Sequence, residues 1–255
     1  MSQDSPTFLS ANAPSMMPEI PGYELSQRIY AGKGSQIYRG HRTQDRYPVI
    51  LKIFPPDSDG HGTPLTYKQE HDILRHLNAA GLVTTLRLES YRDMPVLVLD
   101  DTGGTSLNHK LKEWQQAGTT AFPVLKFIEL AQKIIEEVAR LHGAGIIHKN
   151  ITPANIVFNA DTQELALIDF GISTTLKREM PELKSPRVLE GTPAYISPEQ
   201  TGRMNRTVDY RTDFYAVGVA FYELLTGRLP FEAKDTVEMV HCHLAKTPMP
   251  PPISG

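Results

Sequence analysis

Apolar and polar residues follow different periods in the two halves of the chain. Residues 23–54 alternate short apolar runs with glycine, proline and charged residues, which is typical of an antiparallel meander. Residues 64–78 carry apolar side chains at helical spacing, and residues 82–101 return to the strand pattern. After Gly104 the pattern is mostly helical, and its longest helical stretch, residues 124–145, ends in glycines that suit a helix C-cap.

The change from strands to helices predicts an α+β fold in two lobes. We assign a β-rich N-terminal lobe to residues 23–101, the linker between the lobes to residues 100–104, and a helical C-terminal lobe to residues 105–255. Residues 1–22 are rich in serine and proline and follow neither period, so we expect them to form a disordered tail.

Composition narrows the class of protein. The 255 residues can bury one large core or two modest ones. With 26 basic and 29 acidic residues the net charge is −3, which disfavours a nucleic acid as partner. Cys242 is the only cysteine and cannot form an internal disulfide, so a reducing cytoplasm is the expected compartment. The pattern contains neither a signal peptide nor an apolar run of membrane-spanning length, and no membrane span is expected.

An aspartate stands where an apolar strand ends. Asp169, Phe170 and Gly171 follow the apolar residues 165–168. A carboxylate at this place can hold Mg²⁺, which prefers oxygen ligands and keeps room for phosphate oxygens. Taken alone, the triplet fits equally well a strand that ends in an aspartate-led turn.

A second motif favours the metal. Residues 148–155 read HKNITPAN, and His148 precedes Asp169 by twenty-one positions. Asn155 offers an amide oxygen as a second ligand, and it leads into another strand-like stretch. Two candidate Mg²⁺ ligands on adjoining loops, Asn155 and Asp169, predict a site for phosphoryl transfer.

A lysine and a glutamate lie on apolar faces. Lys52 is surrounded by apolar residues on a strand that we expect to be central, and a buried ammonium group needs a negative charge nearby. Glu70 lies on the same helical face as Ile73, Leu74 and Leu77. Each charge alone could extend to the surface along its aliphatic stem, but together they predict a buried ion pair.

Glycines precede this lysine in the chain. Residues 29–40 form a predicted hairpin in which Gly32 and Gly34 allow backbone N–H groups to approach phosphates. An ordinary hairpin turn explains the same glycines. Their position upstream of Lys52 favours the phosphate-binding interpretation.

These motifs together resemble a protein kinase of the serine/threonine type, from Tyr23 to about residue 245. The resemblance implies ATP and Mg²⁺ as cofactors. It places Lys52 at the α- and β-phosphates of ATP and Glu70 as the partner of that lysine. It makes metal ligands of Asn155 and Asp169, and the implied catalytic residues are Asn150, Lys52, Asp169 and Asn155. The implied nucleotide-binding residues are Gly32, Gly34, Ile37, Lys52, Glu70, Leu99, Asp100 and Thr102.

The resemblance continues in the C-terminal lobe. Residues 191–200 resemble the end of an activation segment, and Asp213 matches an acid that braces the catalytic loop, although a helix N-cap would look the same. Residues 197–218 are similar to the N-terminal kinase-like module of long bacterial, chiefly cyanobacterial, multi-sensor signalling proteins. The implied partners are a protein substrate or downstream sensor domains of the same longer chain.

Three departures from the kinase pattern concern the chemistry. Asn150 stands where kinases have a catalytic aspartate, and an amide cannot take up a proton at neutral pH. Losing general-base assistance costs roughly 10²- to 10⁴-fold in rate. Thr152 replaces a lysine that contacts the γ-phosphate, and Tyr30 and Ser35 replace two glycines of the phosphate-binding loop.

Two functions follow from the resemblance. The first is an ATP-dependent serine/threonine protein kinase in bacterial signal transduction, slowed by Asn150 and Thr152. The second is a pseudokinase that binds nucleotide and acts as a regulatory interaction module of a larger sensor protein. A small-molecule phosphotransferase is disfavoured because residues 191–200 resemble a peptide-docking segment.

Two expectations concern the end of the chain. In kinases an arginine from later helices pairs with the glutamate at the position of Glu199, and Gly255 ends the sequence before such helices, so we expect a truncated C-terminal lobe. His241 and His243 stand two residues apart on a predicted helix and point in nearly opposite directions. They therefore predict an interfacial helix rather than a zinc site.

Overall fold

The N-terminal lobe is a five-stranded antiparallel sheet with one helix. The computed structural model describes residues 17–31, 34–55, 66–80, 86–118, 122–175, 190–204 and 206–251. The sheet order is β1-β2-β3-β5-β4. The strands are β1 (Tyr23–Ala31), β2 (Gln36–Arg42), β3 (Pro48–Ile53), β4 (Leu86–Tyr91) and β5 (Met94–Asp100), and the helix is α1 (Thr66–Ala79).

The C-terminal lobe is mainly helical. Its helices are α2 (Leu107–Gln116), α3 (Val124–Gly143), α4 (Arg211–Thr226) and α5 (Thr236–Ala245), with a 3₁₀ helix at Pro198–Thr201. The short strands are β6 (Thr105–Ser106), β7 (Ile146–Ile147), β8 (Ile156–Phe158), β9 (Leu165–Leu167) and β10 (Thr174–Thr175). Strands β6, β8 and β9 form one small sheet, and β7 pairs with β10. The predicted two-lobed α+β fold is confirmed.

The two faces of the large sheet pack against different partners. On the inner face, Leu97 of β5 packs with Leu74 and Leu77 of α1 in the main core, which continues into the C-terminal lobe. On the outer face, Leu51 and Val98 belong to a separate cluster. This alternation places neighbouring strand residues on opposite sides of the sheet, as strand geometry requires.

The main core continues along one stripe of α3. Leu130, Ile134, Val138 and Leu141 are buried, and their spacing of three or four residues places them on one side of the helix. Fully burying each such side chain contributes about 1.5–3 kcal/mol. The tightly packed helix α3 therefore supports the part of the lobe that carries Asp169. No helix in the described ranges is both long and apolar enough to cross a membrane.

The ordered part of the N-terminal lobe begins earlier than the sequence predicted. Ile20 was assigned to the tail, yet it is 5% exposed and packs with Tyr38 and Val49 on the outer face of the sheet. The Tyr23 N–H donates to the Ile20 carbonyl at 3.1 Å. A tail boundary at residue 22 is therefore wrong for Ile20, while residues 1–16 lie outside the described residues. The expectation of a truncated C-terminal lobe stays a prediction.

Gly40 offers a test of the β1–β2 contact. A Cβ atom at Gly40 would lie 2.4 Å from the Glu24 carbonyl oxygen, which belongs to the backbone and cannot rotate away. We expect Gly40→Ala to lower the free energy of unfolding by roughly 1–3 kcal/mol. Gly143→Ala is the control, because a Cβ atom at Gly143 would have nothing within 4 Å. Urea unfolding of both variants tests this, and equal stabilities would contradict it.

Candidate active site

Lys52 joins the two lobes through two carboxylates. Its Nζ atom lies 2.7 Å from Glu70 Oε2 on α1 and 2.7 Å from Asp169 Oδ1 in the C-terminal lobe. The side chains of Lys52 and Glu70 are 6% and 2% exposed, whereas that of Asp169 is 38% exposed. The predicted buried ion pair is thus present, and Asp169 extends it toward solvent.

The charges of Lys52 and Asp169 stabilise each other. Burial alone would lower the pKa of Lys52, but Glu70 and Asp169 outweigh it and raise that pKa above the ordinary value. Burial alone would raise the pKa of Asp169, and the adjacent Lys52 ammonium lowers it instead. Asp169 is therefore an ionised carboxylate at neutral pH.

A buried aspartate holds the backbone of the loop before Asn150. Asp213 is fully buried, and its carboxylate accepts hydrogen bonds from the backbone N–H groups of His148 at 2.9 Å and Lys149 at 2.8 Å. His142 Nε2 lies 2.8 Å from the same carboxylate. Lys149 has a φ of +66°, an unusual conformation that these bonds support. The contacts favour the bracing interpretation of Asp213 over a helix N-cap.

The ring of His148 links this loop to the loop of Asp169. Its Nε2 lies 3.1 Å from the Ile168 carbonyl, and the Asn150 N–H donates to its Nδ1 at 3.3 Å. A carbonyl only accepts and an N–H only donates, so the proton of neutral His148 is on Nε2. Burial lowers the pKa of His148, which favours this neutral form.

The Asn150 side chain bridges two segments. Its Oδ1 accepts a hydrogen bond from Thr192 Oγ1 at 2.9 Å, and its Nδ2 donates to Asp169 Oδ2 at 3.4 Å. Thr192 lies 42 positions away, and no residue pattern in the sequence indicated this contact. The amide is thus oriented at both ends, with a hydrogen bond to Asp169 that a carboxylate could not donate.

The Asn155 side chain is held by the loop of Asn150. Its Nδ2 donates to the Asn150 carbonyl at 2.9 Å, which leaves its Oδ1 to bind a cation. Among the described residues no group of three or more His, Cys, Asp or Glu side chains could hold a metal. One carboxylate and one amide oxygen suit Mg²⁺, which completes its shell with water and phosphate oxygens. Asn155 and Asp169 therefore fit the predicted ion.

The family follows from comparison with known proteins. The protein kinase domain family matches residues 23–251. The chain belongs to the protein kinase family.

Its relatives include bacterial serine/threonine-protein kinases. The chain is 30% identical over 223 residues to PknL of Mycobacterium tuberculosis, covering 87% of this chain and 53% of that protein. It is 28% identical over 238 residues to pkn3 of Myxococcus xanthus, covering 90% of this chain and 42% of that protein. It is 28% identical over 236 residues to the probable kinase SCO3848 of Streptomyces coelicolor, covering 91% of this chain and 34% of that protein. The chain thus spans about a third to a half of the length of these relatives.

Several of the implied nucleotide-binding residues lie on the strands next to Lys52. Ile37 of β2 is the cross-strand neighbour of Lys52, and Gly34 lies two residues before that strand begins. Leu99 of β5 packs against the main core on the inner face of the sheet. Gly32 lies outside the described residues.

The Asp100 side chain lies on the outer face of the sheet. It lines a cavity of about 220 Å³ on the outer face, together with Tyr23 and Arg42. Strand alternation turns Leu99 and Asp100 to opposite faces, so only the backbone of Asp100 is available to a nucleotide on the inner face. The predicted contact of Asp100 with a nucleotide therefore concerns its backbone, and it stays a prediction.

The linker between the lobes is hydrogen-bonded to both of them. The Arg39 guanidinium on β2 donates to the Asp101 carboxylate at 2.6 and 3.2 Å and to the Gly104 carbonyl at 3.0 Å. From the C-terminal lobe, Asn159 Nδ2 donates to the Thr102 carbonyl at 2.6 Å. The sequence pattern predicted the linker and Thr102 but not these two anchors.

Proposed function

We propose that this chain is an ATP-dependent serine/threonine protein kinase in bacterial signal transduction, with activity weakened by Asn150. The arrangement of Lys52, Glu70 and Asp169 is the observation that carries the proposal. It joins a buried lysine of one lobe to a solvent-reaching carboxylate of the other, at the place where phosphates and a cation would meet. The serine/threonine-protein kinase names of the relatives support the same reaction class.

Three of the residues bind the nucleotide and its cation, and Asn150 orients the substrate. Lys52 would bind the α- and β-phosphates, and Asp169 and Asn155 would hold the cation. Mg²⁺, when bound, neutralises charge on the phosphates. Asn150 Oδ1 already accepts from Thr192, and its second lone pair accepts the hydrogen bond of a substrate hydroxyl. Asn150 orients that hydroxyl but cannot take its proton, so catalysis rests on positioning and electrostatics.

A pseudokinase is the second candidate, and the Asn150–Asp169 hydrogen bond favours it. At 3.4 Å this bond joins the two loops without help from a cation. Loops joined in this way keep their arrangement without catalysis. The binding of nucleotide alone could then be the signal. A radiolabel phosphotransfer assay with and without Mg²⁺ separates the candidates, because only the kinase labels protein serine or threonine.

We further propose that the chain acts as the kinase-like module of a multi-sensor signalling protein in the cytoplasm. The similarity of residues 197–218 to such modules supports this. The relatives, which are two to three times as long as the region they share with this chain, show that the domain occurs within longer proteins. Its partners would then be a protein substrate or sensor domains of the same chain.

ATP binding has a direct test in thermal stability. We expect ATP with Mg²⁺ to raise the melting temperature, since a ligand at about 100 times its Kd stabilises the folded state by about 2.7 kcal/mol. Asp169→Ala should remove the Mg²⁺ dependence of this shift. Asp161→Ala is the matched control, because Asp161 is exposed in a turn away from the site. A wild-type protein that shows no shift at millimolar nucleotide would contradict the ATP site.

A further inference from the structure

His243 of α5 connects two other parts of the C-terminal lobe. Its Nε2 lies 3.0 Å from the Pro193 carbonyl, and its Nδ1 lies 2.8 Å from the Tyr215 hydroxyl on α4. Because a carbonyl only accepts, the Nε2 atom carries the proton and Nδ1 accepts from the tyrosine. His243 is 6% exposed, so water competes little for these hydrogen bonds.

Apolar packing also holds the chain at Pro193 and Ala194. The rings of Tyr215 and Phe231 lie 5.6 and 5.4 Å from the His243 ring. Phe231, Met239 and Cys242 form a small core, and Ala194 packs against it. The chain at Pro193 and Ala194 is therefore held to α5 by one polar and one apolar contact, both separate from the main core.

This stretch of chain reaches the candidate active site. Thr192, directly before Pro193, donates to Asn150 Oδ1 at 2.9 Å. On the far side, the Tyr195 hydroxyl donates to the Glu223 carboxylate on α4. A shift of the Pro193 carbonyl would therefore move the Thr192 hydroxyl, which is one residue away and orients Asn150.

We propose that neutral His243 is a positioning residue that holds residues 191–197 for docking of a protein substrate. The inference rests on the proposed kinase function, since it names the residue that fixes the peptide-docking segment of that same site. His243 has no contact with Lys52, Glu70 or Asp169 among the described residues. We therefore expect it to affect protein-substrate binding far more than nucleotide binding.

The charge state of His243 gives the proposal a pH dependence. Burial lowers the pKa of His243 below the ordinary value of 6.5, and the bond to Pro193 opposes this only in part. Burial and the nearby Glu199 raise the pKa of Tyr215 to about 12, so Tyr215 remains a donor at neutral pH. A second proton on Nδ1 would remove the acceptor of that hydroxyl. The contribution of His243 to stability is thus present above pH 6.5 and is lost as the pH falls below it.

Hydrogen exchange of residues 191–197 tests the proposal without requiring catalysis. We expect His243→Ala to increase the exchange of this segment. His243→Gln should restore part of the protection, because its amide nitrogen can donate to Pro193 as Nε2 does. Tyr215→Phe should cause a smaller increase. His241→Ala is the matched control, since His241 lies on the same helix and is exposed.

Kinetics and pH give two further readouts. In His243→Ala the KM for protein substrate should rise about two- to tenfold, the effect of one neutral hydrogen bond, with the KM for ATP unchanged. After correction for intrinsic exchange, wild-type exchange of residues 191–197 should increase from about pH 7.5 to about pH 5.5, while that of His243→Gln stays flat.

The outcomes separate this proposal from the proposed function. If His243→Ala exchanges like His241→Ala, or if the KM for ATP changes as much as that for protein, the positioning role is overturned. If the wild-type protein transfers no phosphate, the kinase proposal fails while the exchange measurement still decides the role of His243. If His243→Ala does not fold, His243→Gln and Tyr215→Phe decide it by the same exchange and pH comparisons.

Discussion

Asn150→Asp is expected to raise phosphotransfer by roughly 10²- to 10⁴-fold, the usual contribution of a general base. The new carboxylate would occupy a place already fixed by the Thr192 hydroxyl and by the backbone bond to His148. It can take up the proton of a substrate hydroxyl, which the amide cannot. The measurement is transfer of radiolabelled phosphate to protein at saturating ATP and Mg²⁺.

The same substitution also changes the site before nucleotide binds. A carboxylate at position 150 would stand beside Asp169, whose Oδ2 now receives a hydrogen bond from Asn150 Nδ2 at 3.4 Å. Two negative charges at this distance repel each other until a cation arrives. Asn150→Asp should therefore be less stable than wild type without Mg²⁺ and should show a larger stabilisation by Mg²⁺ with ATP.

Two further variants test whether the carboxylate at position 150 is the cause of the increased phosphotransfer. Asn150→Ala removes both side-chain contacts without supplying a base and should not raise transfer. Asn150→Asp combined with Thr152→Lys should transfer more than Asn150→Asp alone, although the gains share one transition state and need not add. If neither aspartate variant transfers phosphate while both bind ATP, the pseudokinase is the correct function.

Glu70→Ala is expected to lower the free energy of unfolding by about 3 kcal/mol, because it leaves the buried Lys52 with less compensation. The cost lies near the lower end for broken buried pairs, since Asp169 Oδ1 remains 2.7 Å from the lysine. Replacing both members, as in Lys52→Met with Glu70→Leu, removes the buried charges together. We expect the double variant to recover to within about 1 kcal/mol of the wild-type stability.

An exposed ion pair of the same lobe is the matched control. Glu24 and Arg46 form a salt bridge whose side chains are 62% and 65% exposed. Glu24→Ala should cost less than about 1 kcal/mol, because water and salt screen this pair. Urea unfolding of the three variants decides the comparison. A Glu70→Ala variant no less stable than Glu24→Ala would show that the buried pair contributes little.

The sequence predicted well those features that local periodicity determines. The helical spacing of Ile73, Leu74 and Leu77 located α1, and it also placed Glu70 on the buried side facing Lys52. Asp169 was predicted correctly as the residue at the end of a strand. In each case the signal lies within about ten residues of the feature that it predicts.

Features that depend on distant residues escaped prediction. The Thr192–Asn150 and Arg39–Asp101 contacts join residues 42 and 62 positions apart. Neither contact produces a periodic pattern in the sequence. Ile20 was missed because one apolar residue within a proline-rich stretch forms no pattern. The outward direction of the Asp100 side chain was predictable in principle, since strand alternation assigns Leu99 and Asp100 to opposite faces of β5.

The two anchors of the linker define how the lobes can move. Arg39 holds Asp101 and Gly104 from the N-terminal lobe, and Asn159 holds Thr102 from the C-terminal lobe. Gly104 is also packed so closely that a Cβ atom would lie 2.5 Å from Val157. A segment held from both sides resists stretching, so we expect the two lobes to move by rotation about this segment. Residues beside the linker would then shift less than residues at the far ends of the lobes.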